Sequence, residues 1–154
     1  HIQMGTLSKA AGSYGGYICG SETLIDYIKT SARSLIYSTG LPPASVAASI
    51  AAINLMQKDK NLASGALDNA RHFTSLLGLP EAQSAIVPVI VKENEKALKL
   101  SAMLEEQGFL VSAIRPPTVP ENTARLRFTF SALHDKKQIE AVANILKAQG
   151  IPCA

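Results

Sequence analysis

The 154-residue chain contains no tryptophan, and aromatic residues make up only 5% of it. Cysteine is scarce too. Cys19 and Cys153 lie far apart without CxxC spacing, so neither a disulfide framework nor a zinc site is expected, and a reducing, cytoplasmic setting is the default. Long apolar runs are missing. The most apolar stretch, Leu35 to Met56, is broken by Ser38, Thr39, Gly40, Pro42, Pro43, Ser45, Ser49 and Asn54, which excludes a clean span of about 18 apolar residues. No apolar segment follows a basic N-terminus, as a signal peptide would require. Charge of one sign is also lacking: 15 basic against 12 acidic residues leave +3. The densest basic cluster, Lys92, Lys96 and Lys99, is interleaved with Glu93 and Glu95, the pattern of a solvated helix face and not of a nucleic-acid-binding stripe. No nucleic-acid or membrane partner is expected.

What the chain does have is aliphatic mass. It is 47% hydrophobic, mostly Ala, Leu, Ile and Val, which is enough to offset the entropy of ordering and excludes disorder. The length matches about one average domain. The opening His1-Ile2-Gln3-Met4 reads like the middle of a strand, so the chain is expected to be a piece of something longer.

Patterning predicts the elements in order. His1 to Met4 ends a strand, and Gly5 to Gly16 is a glycine-rich loop. Tyr17 to Cys19 is a short apolar run that predicts a buried strand. Ser21 caps a helix from Glu22 to Ala32. Leu35 to Ser38 is a short strand candidate. Pro42-Pro43 opens an Ala-rich helix over 44–57, expected to pack closely beside a dimer interface. Beyond a polar boundary near Lys58 to Asn61, a helix runs from Leu62 to Leu77. Then come a strand from Ala85 to Val91, with Pro88 marking an edge or bulge, and a helix from Asn94 to Glu106 with Leu98, Met103 and Leu104 on one side. Strands follow from Phe109 to Ile114 and from Ala124 to Phe130, and a helix opened by Asp135 runs from Lys137 to Gln149. Helix, strand, helix, strand, strand, helix predicts a small, largely antiparallel sheet covered by helices.

Two constellations carry chemistry. In Gly5-Thr6-Leu7-Ser8-Lys9 a lysine among small residues follows a strand, with hydroxyls one and three positions before it. Lysine forms a Schiff base with a carbonyl cofactor when its amine is partly desolvated, and Thr6 and Ser8 could hold a phosphate beside it. A surface lysine next to a glycine turn explains the same residues. Neither G-x-x-x-x-G-K-[ST] nor G-x-G-x-x-G occurs here, which disfavours a nucleotide loop. In the second, the proline-rich loop Arg115 to Thr123 precedes Arg125 and Arg127, which strand alternation puts on one face. Such an arginine suits a bidentate carboxylate clamp, while a solvated strand residue is at least as good a reading of Arg125. His72, read as a helix-surface residue, and His134, read as structural, have no metal-ligand partners at useful spacing.

Three motifs in register, G-T-L-S-K-A-A-G-S-Y-G-G-Y, S-T-G-L-P-P and A-I-R-P-P-T-V-P-x-x-T-A-R-L-R-F-T, resemble the α-oxoamine synthases, pyridoxal 5'-phosphate (PLP) enzymes of aminotransferase fold type I. The resemblance covers nearly the whole chain. It implies an α/β fold: residues 1–60 as the end of the large cofactor domain and 61–154 as the small C-terminal domain. Lys9 resembles the lysine that forms the internal aldimine, and Thr6 the threonine that binds the cofactor phosphate. Ser38 and Thr39 resemble the pair that reaches the phosphate of the partner subunit's cofactor in a homodimer. Arg127 resembles the arginine that binds the amino-acid carboxylate, and Thr118 a substrate-contacting threonine. No metal is implied.

The loop around Pro116-Pro117 matches best the biotin-pathway member, which condenses L-alanine with a pimeloyl thioester, either pimeloyl-CoA or a pimeloyl-carrier protein. Sister members (5-aminolevulinate synthase, 2-amino-3-ketobutyrate ligase, serine palmitoyltransferase) share the Lys9 and Arg127 equivalents and stay open as alternatives, as does a non-catalytic dimerisation or scaffold module. The family's N-terminal half has no counterpart here, so the chain alone is expected to be inactive.

Overall fold

A computed structural model describes residues 1–59 and 61–151; Cys153, one of the two cysteines read as unpaired, lies outside them. The chain divides into two compact units, His1–Lys60 and Asn61–Ala154.

The first unit opens on a hairpin. Strands β1 (Gln3–Thr6) and β2 (Gly16–Cys19) pair antiparallel, with Gly5 opposite Tyr17 and Thr6 opposite Gly16. The Tyr17 ring lies over Gly5, where a Cβ would sit 2.5 Å from ring atoms and push the ring aside. The sequence predicted β2 as buried, yet all four of its residues are exposed. A two-stranded ribbon has no second layer to bury either face.

Helix α1 (Glu22–Ser31) starts where the Ser21 hydroxyl accepts from the Leu24 N–H, as an N-cap should. The predicted strand at Leu35 to Ser38 is instead a helical turn, α2 (Arg33–Ile36). Ala32 ends α1 and starts α2, its carbonyl accepting from the N–H groups of Leu35 and Ile36. Local bonds satisfy this backbone, whereas a strand needs a lateral partner, and in this unit β1 and β2 pair only with each other among the described residues. Helix α3 (Pro43–Lys58) then begins with Pro43 in its first turn, where the missing N–H costs nothing.

Ser49 is the only buried residue among the described residues of this unit. Tyr17, Ile18, Val46, Ile50 and Ile53 are exposed, although a helix as apolar all round as α3 ordinarily sits inside a larger core.

The second unit holds the core. Its order is α4 (Asn61–Leu77), β3 (Ile86–Lys92), α5 (Asn94–Glu106), β4 (Ser112–Ile114), β5 (Ala124–Thr129) and α6 (Lys136–Ala148), with an antiparallel sheet ordered β3-β5-β4. Alternation along β5 puts Ala124, Leu126 and Phe128 inside, with Val87, Val89 and Val91 beside them from β3. The helices contribute Phe73, Leu104 and Leu146 to the same core. Phe73 packs at a tilt with ring-centroid distances of 4.6 Å from Phe128 and 5.1 Å from Phe130, so three of the four phenylalanines meet at one point.

Two predictions for this unit need correction. The buried face of α5 is Ala97, Leu100 and Leu104, while Leu98 is exposed. The strand expected from Phe109 starts only at Ser112, because Phe109 donates its N–H to the Leu104 carbonyl and completes the helix end. Pro88 sits on an edge strand, as its missing N–H requires. There Ser84 brackets the next outward-facing residue, its hydroxyl accepting from the N–H of Ile86 and donating to the Ile86 carbonyl.

Candidate active site

The loop joining β1 to β2 is closed by its own backbone. Leu7 N–H donates to Gly15 O, Ser13 N–H to Leu7 O and Gly12 N–H to Lys9 O, each at 2.9 Å. Gly15 has φ +113, a backbone angle that demands glycine, and a Cβ there would crowd Leu41 Cδ1 at 2.9 Å.

Two hydroxyl side chains meet where this loop leaves β1. Thr6 Oγ1 donates to Gly15 O at 3.3 Å and accepts from the Ser8 N–H at 3.2 Å, with Ser8 Oγ 2.6 Å away. Thr6 has one hydroxyl proton, so with that proton on Gly15 the shared one comes from Ser8. Both hydroxyls are exposed and can turn their protons towards an arriving anionic oxygen. Lys9 follows directly. Its side chain is exposed, and among the described residues its ammonium has no hydrogen-bond or ion-pair partner. This short stretch thus offers two paired hydroxyls followed in sequence by an exposed primary amine without a partner among the described residues, a donor set that fits a ligand carrying both a carbonyl and a phosphate.

Ser38 and Thr39 lie in the same unit, between α2 and α3. The Ser38 hydroxyl donates to the Ser34 carbonyl. Thr39 is exposed, and its hydroxyl is without a partner among the described residues.

Thr118 and Arg127 belong to the second unit. Thr118 is exposed in the loop before β5, its N–H donating to Arg115 O at 3.0 Å. Arg127 stands on the central strand between Pro88 of β3 and Ser112 of β4. The two arginines that alternation puts on one face differ. Arg125 is half-buried and its Nε donates to Thr123 O at 2.9 Å, whereas Arg127 is exposed with a guanidinium free of partners among the described residues. Geometry makes Arg125 structural and leaves Arg127 available to an anion.

The histidines split as well. His134 Nδ1 accepts from the Ser131 N–H at 3.3 Å, a structural role. His72, read as a surface residue, is half-buried between α4 and α6, with Nε2 3.5 Å from Glu140 Oε1. No group of three His, Cys, Asp or Glu able to hold a metal exists among the described residues. Two features escaped the sequence reading. A cavity of about 290 Å³ is lined by Val111, Phe128, Phe130, His134, Ile139 and Val142. The hydroxyl of Ser13 donates to Ser45 O at 2.6 Å. Neither leaves a spacing signal, because each joins residues distant along the chain.

Comparison with known proteins shows what the chain is similar to. The chain is 57% identical to the 8-amino-7-oxononanoate synthase of Methylobacterium nodulans over 97% of its own length and 39% of that protein, so it spans about two-fifths of this relative. A crystal structure of 8-amino-7-oxononanoate synthase from Francisella tularensis superposes over 97% of this chain and 47% of its own, with TM-score 0.81 and 25% identity. A high-resolution structure of SPT with PLP internal aldimine matches 97% of the chain and 39% of its own, with TM-score 0.87 and 28% identity. The expected α/β fold, a part of a fold type I enzyme, is therefore the one found. The model of the family "Aminotransferase class I and II" matches residues 1–146. That span takes in both the lysine loop and the free arginine, and the chain belongs to this family.

Proposed function

We propose that the whole protein is an 8-amino-7-oxononanoate synthase, which joins L-alanine to a pimeloyl thioester and yields 8-amino-7-oxononanoate, carbon dioxide and the free carrier thiol. The observation that carries this is the exposed Lys9, its amine without a partner among the described residues, directly after the Thr6–Ser8 hydroxyl pair in sequence, in a chain 57% identical to a relative of that name. Backbone likeness to SPT is closer, with TM-score 0.87 against 0.81, but 28% identity to SPT against 57% to the Methylobacterium nodulans protein supports the sister reading less.

Residues 1–60 then form the end of the large cofactor domain and 61–154 the small domain. The exposed apolar residues of the first unit, Ile18, Ile50 and Ile53 among them, support a reading in which the rest of that domain and a second, identical subunit cover them. A cytoplasmic setting belongs to the same proposal.

Lys9 would hold PLP covalently and afterwards move a proton at the alanine α-carbon. Thr6, with Ser8 beside it, would donate to the phosphate, and Ser38 and Thr39 would reach the phosphate in the partner subunit. When bound, PLP supplies an electron sink for negative charge at the α-carbon. Arg127 would bind the alanine carboxylate through its free guanidinium, fixing which α-carbon bond faces the sink. Thr118 would contact the substrate from the loop before β5.

Borohydride treatment of the full-length protein with PLP, followed by peptide mass spectrometry, should fix the cofactor on Lys9. Lys9→Ala should abolish both the adduct and alanine-dependent thiol release. Adduct formation elsewhere, or a preference for glycine or serine over alanine, would overturn the assignment.

A further inference from the structure

We propose that Ser13 is a positioning residue for Lys9, acting through its hydrogen bond to the first turn of α3. The proposal rests on the reading of Lys9 as the cofactor lysine.

The backbone bonds across the neck of the loop, Leu7 to Gly15 and Ser13 to Leu7, fix its internal shape. They do not fix where the loop lies against the rest of the unit. That is set by the contact of Leu41 with Gly15 and by the Ser13 hydroxyl, which donates to Ser45 O at 2.6 Å across 32 positions of sequence. The same carbonyl accepts from the Ser49 hydroxyl at 2.8 Å, and Ser49, at 5% exposure, is the one buried residue among those described in this unit. The anchor shares its acceptor with this buried residue and is itself part-buried, where water competes less for a hydrogen bond than at the surface.

From there the connection to the lysine is short. Gly12 precedes Ser13 and donates its N–H to the Lys9 carbonyl. Lys9 is thus tied to α3 by two hydrogen bonds in series. Ser38 and Thr39, assigned to the partner's cofactor, precede the anchored helix α3 in the chain. A misplacement of about 1 Å at a reacting group can cost on the order of a hundredfold in rate. Releasing the loop from its side-chain hydrogen bond to α3 is a perturbation of that kind.

The test uses the full-length protein loaded with PLP, as wild type and as Ser13→Ala, Ser13→Thr and Ser13→Cys. Ser21→Ala, which loses a hydrogen bond at the α1 cap and not at the loop, is the comparator. The readouts are the rate at which borohydride fixes PLP on Lys9, kcat and KM for alanine, and the thermal midpoint. Ser13→Ala should slow fixation and lower kcat by about tenfold or more with KM unchanged. Ser13→Thr, which keeps the hydroxyl, should recover most of both, and Ser21→Ala should move only the midpoint.

Fixation and kcat equal to wild type in Ser13→Ala, no rescue by threonine, or an equal fall in Ser21→Ala would each overturn the proposal. If Ser13→Ala does not fold, Ser13→Cys decides, since a weak donor of similar size should fall between serine and alanine and overturns the proposal if it matches serine. A wild-type protein that gives no Lys9 adduct would instead remove the functional reading, and this inference with it.

Discussion

Removing Arg127 and removing Arg125 should have opposite effects, although the two stand on the same face of the same strand. Arg127 has no partner among the described residues and is exposed, so Arg127→Ala should leave stability within about 0.5 kcal/mol, as for other surface changes. Its loss should be felt by substrate. A hydrogen bond to a charged group contributes about 1.5–3 kcal/mol, which corresponds to a fall in kcat/KM for alanine of roughly ten- to a hundred-and-fifty-fold. Arg127→Lys, a point charge without the planar fork, should lie between. Arg125→Ala removes the Nε–Thr123 O bond of 2.9 Å and should cost about 1 kcal/mol of stability, a midpoint shift near 0.5 M in urea, with kcat/KM nearly unchanged. Steady-state kinetics and urea melts of the full-length variants measure both axes. A kcat/KM for Arg127→Ala indistinguishable from wild type, or a stability loss matching that of Arg125→Ala, would refute the assignment of Arg127 to the carboxylate.

Two further expectations concern the second unit. Phe73→Ala should destabilise by about 3–5 kcal/mol, since Phe73 is fully buried against Phe128 and Phe130; a urea midpoint close to wild type would show that this cluster is not the core. Asn69→Ala strands the carbonyls of Ser131 and His134, to which its Nδ2 donates at 2.9 and 3.1 Å, and should cost about 1–3 kcal/mol. Faster amide exchange confined to the turn before α6 would locate the effect.

The second unit was legible wherever a pattern had a partner to enforce it. Leu126, Phe128 and Phe130 alternate because three helices cover one face of β5, and Asn94–Glu106 is bounded as predicted because Gly108, at φ +85, ends it. Leu35 to Ser38 misled because a short apolar run suits a strand or a helical turn equally, and only local carbonyls were within reach. Tyr17 to Cys19 misled because apolar sequence records what a segment is built to bury, not what covers it in this chain. For the site, Lys9 and Thr6 were visible as spacing, and motif resemblance supplied Arg127 and Thr118. Which of two arginines is free was not visible, since that depends on a bond to the Thr123 carbonyl. The Ser13 anchor was invisible because nothing in sequence links Ser13 to Ser45.

The outer rim of β3 has a consequence for solubility. Phe130 N–H bonds Ala85 O, so in an antiparallel ladder residues 85, 87 and 89 point their polar groups at β5, and 86, 88 and 90 point theirs outward. A foreign strand approaching that rim would find Ile86 already engaged by Ser84 and Pro88 with no proton to give, leaving Ile90 as the one residue of the three able to both donate and accept. A single bonding residue cannot template a new strand, so a rim that would otherwise invite end-to-end stacking of copies is closed by one serine and one proline.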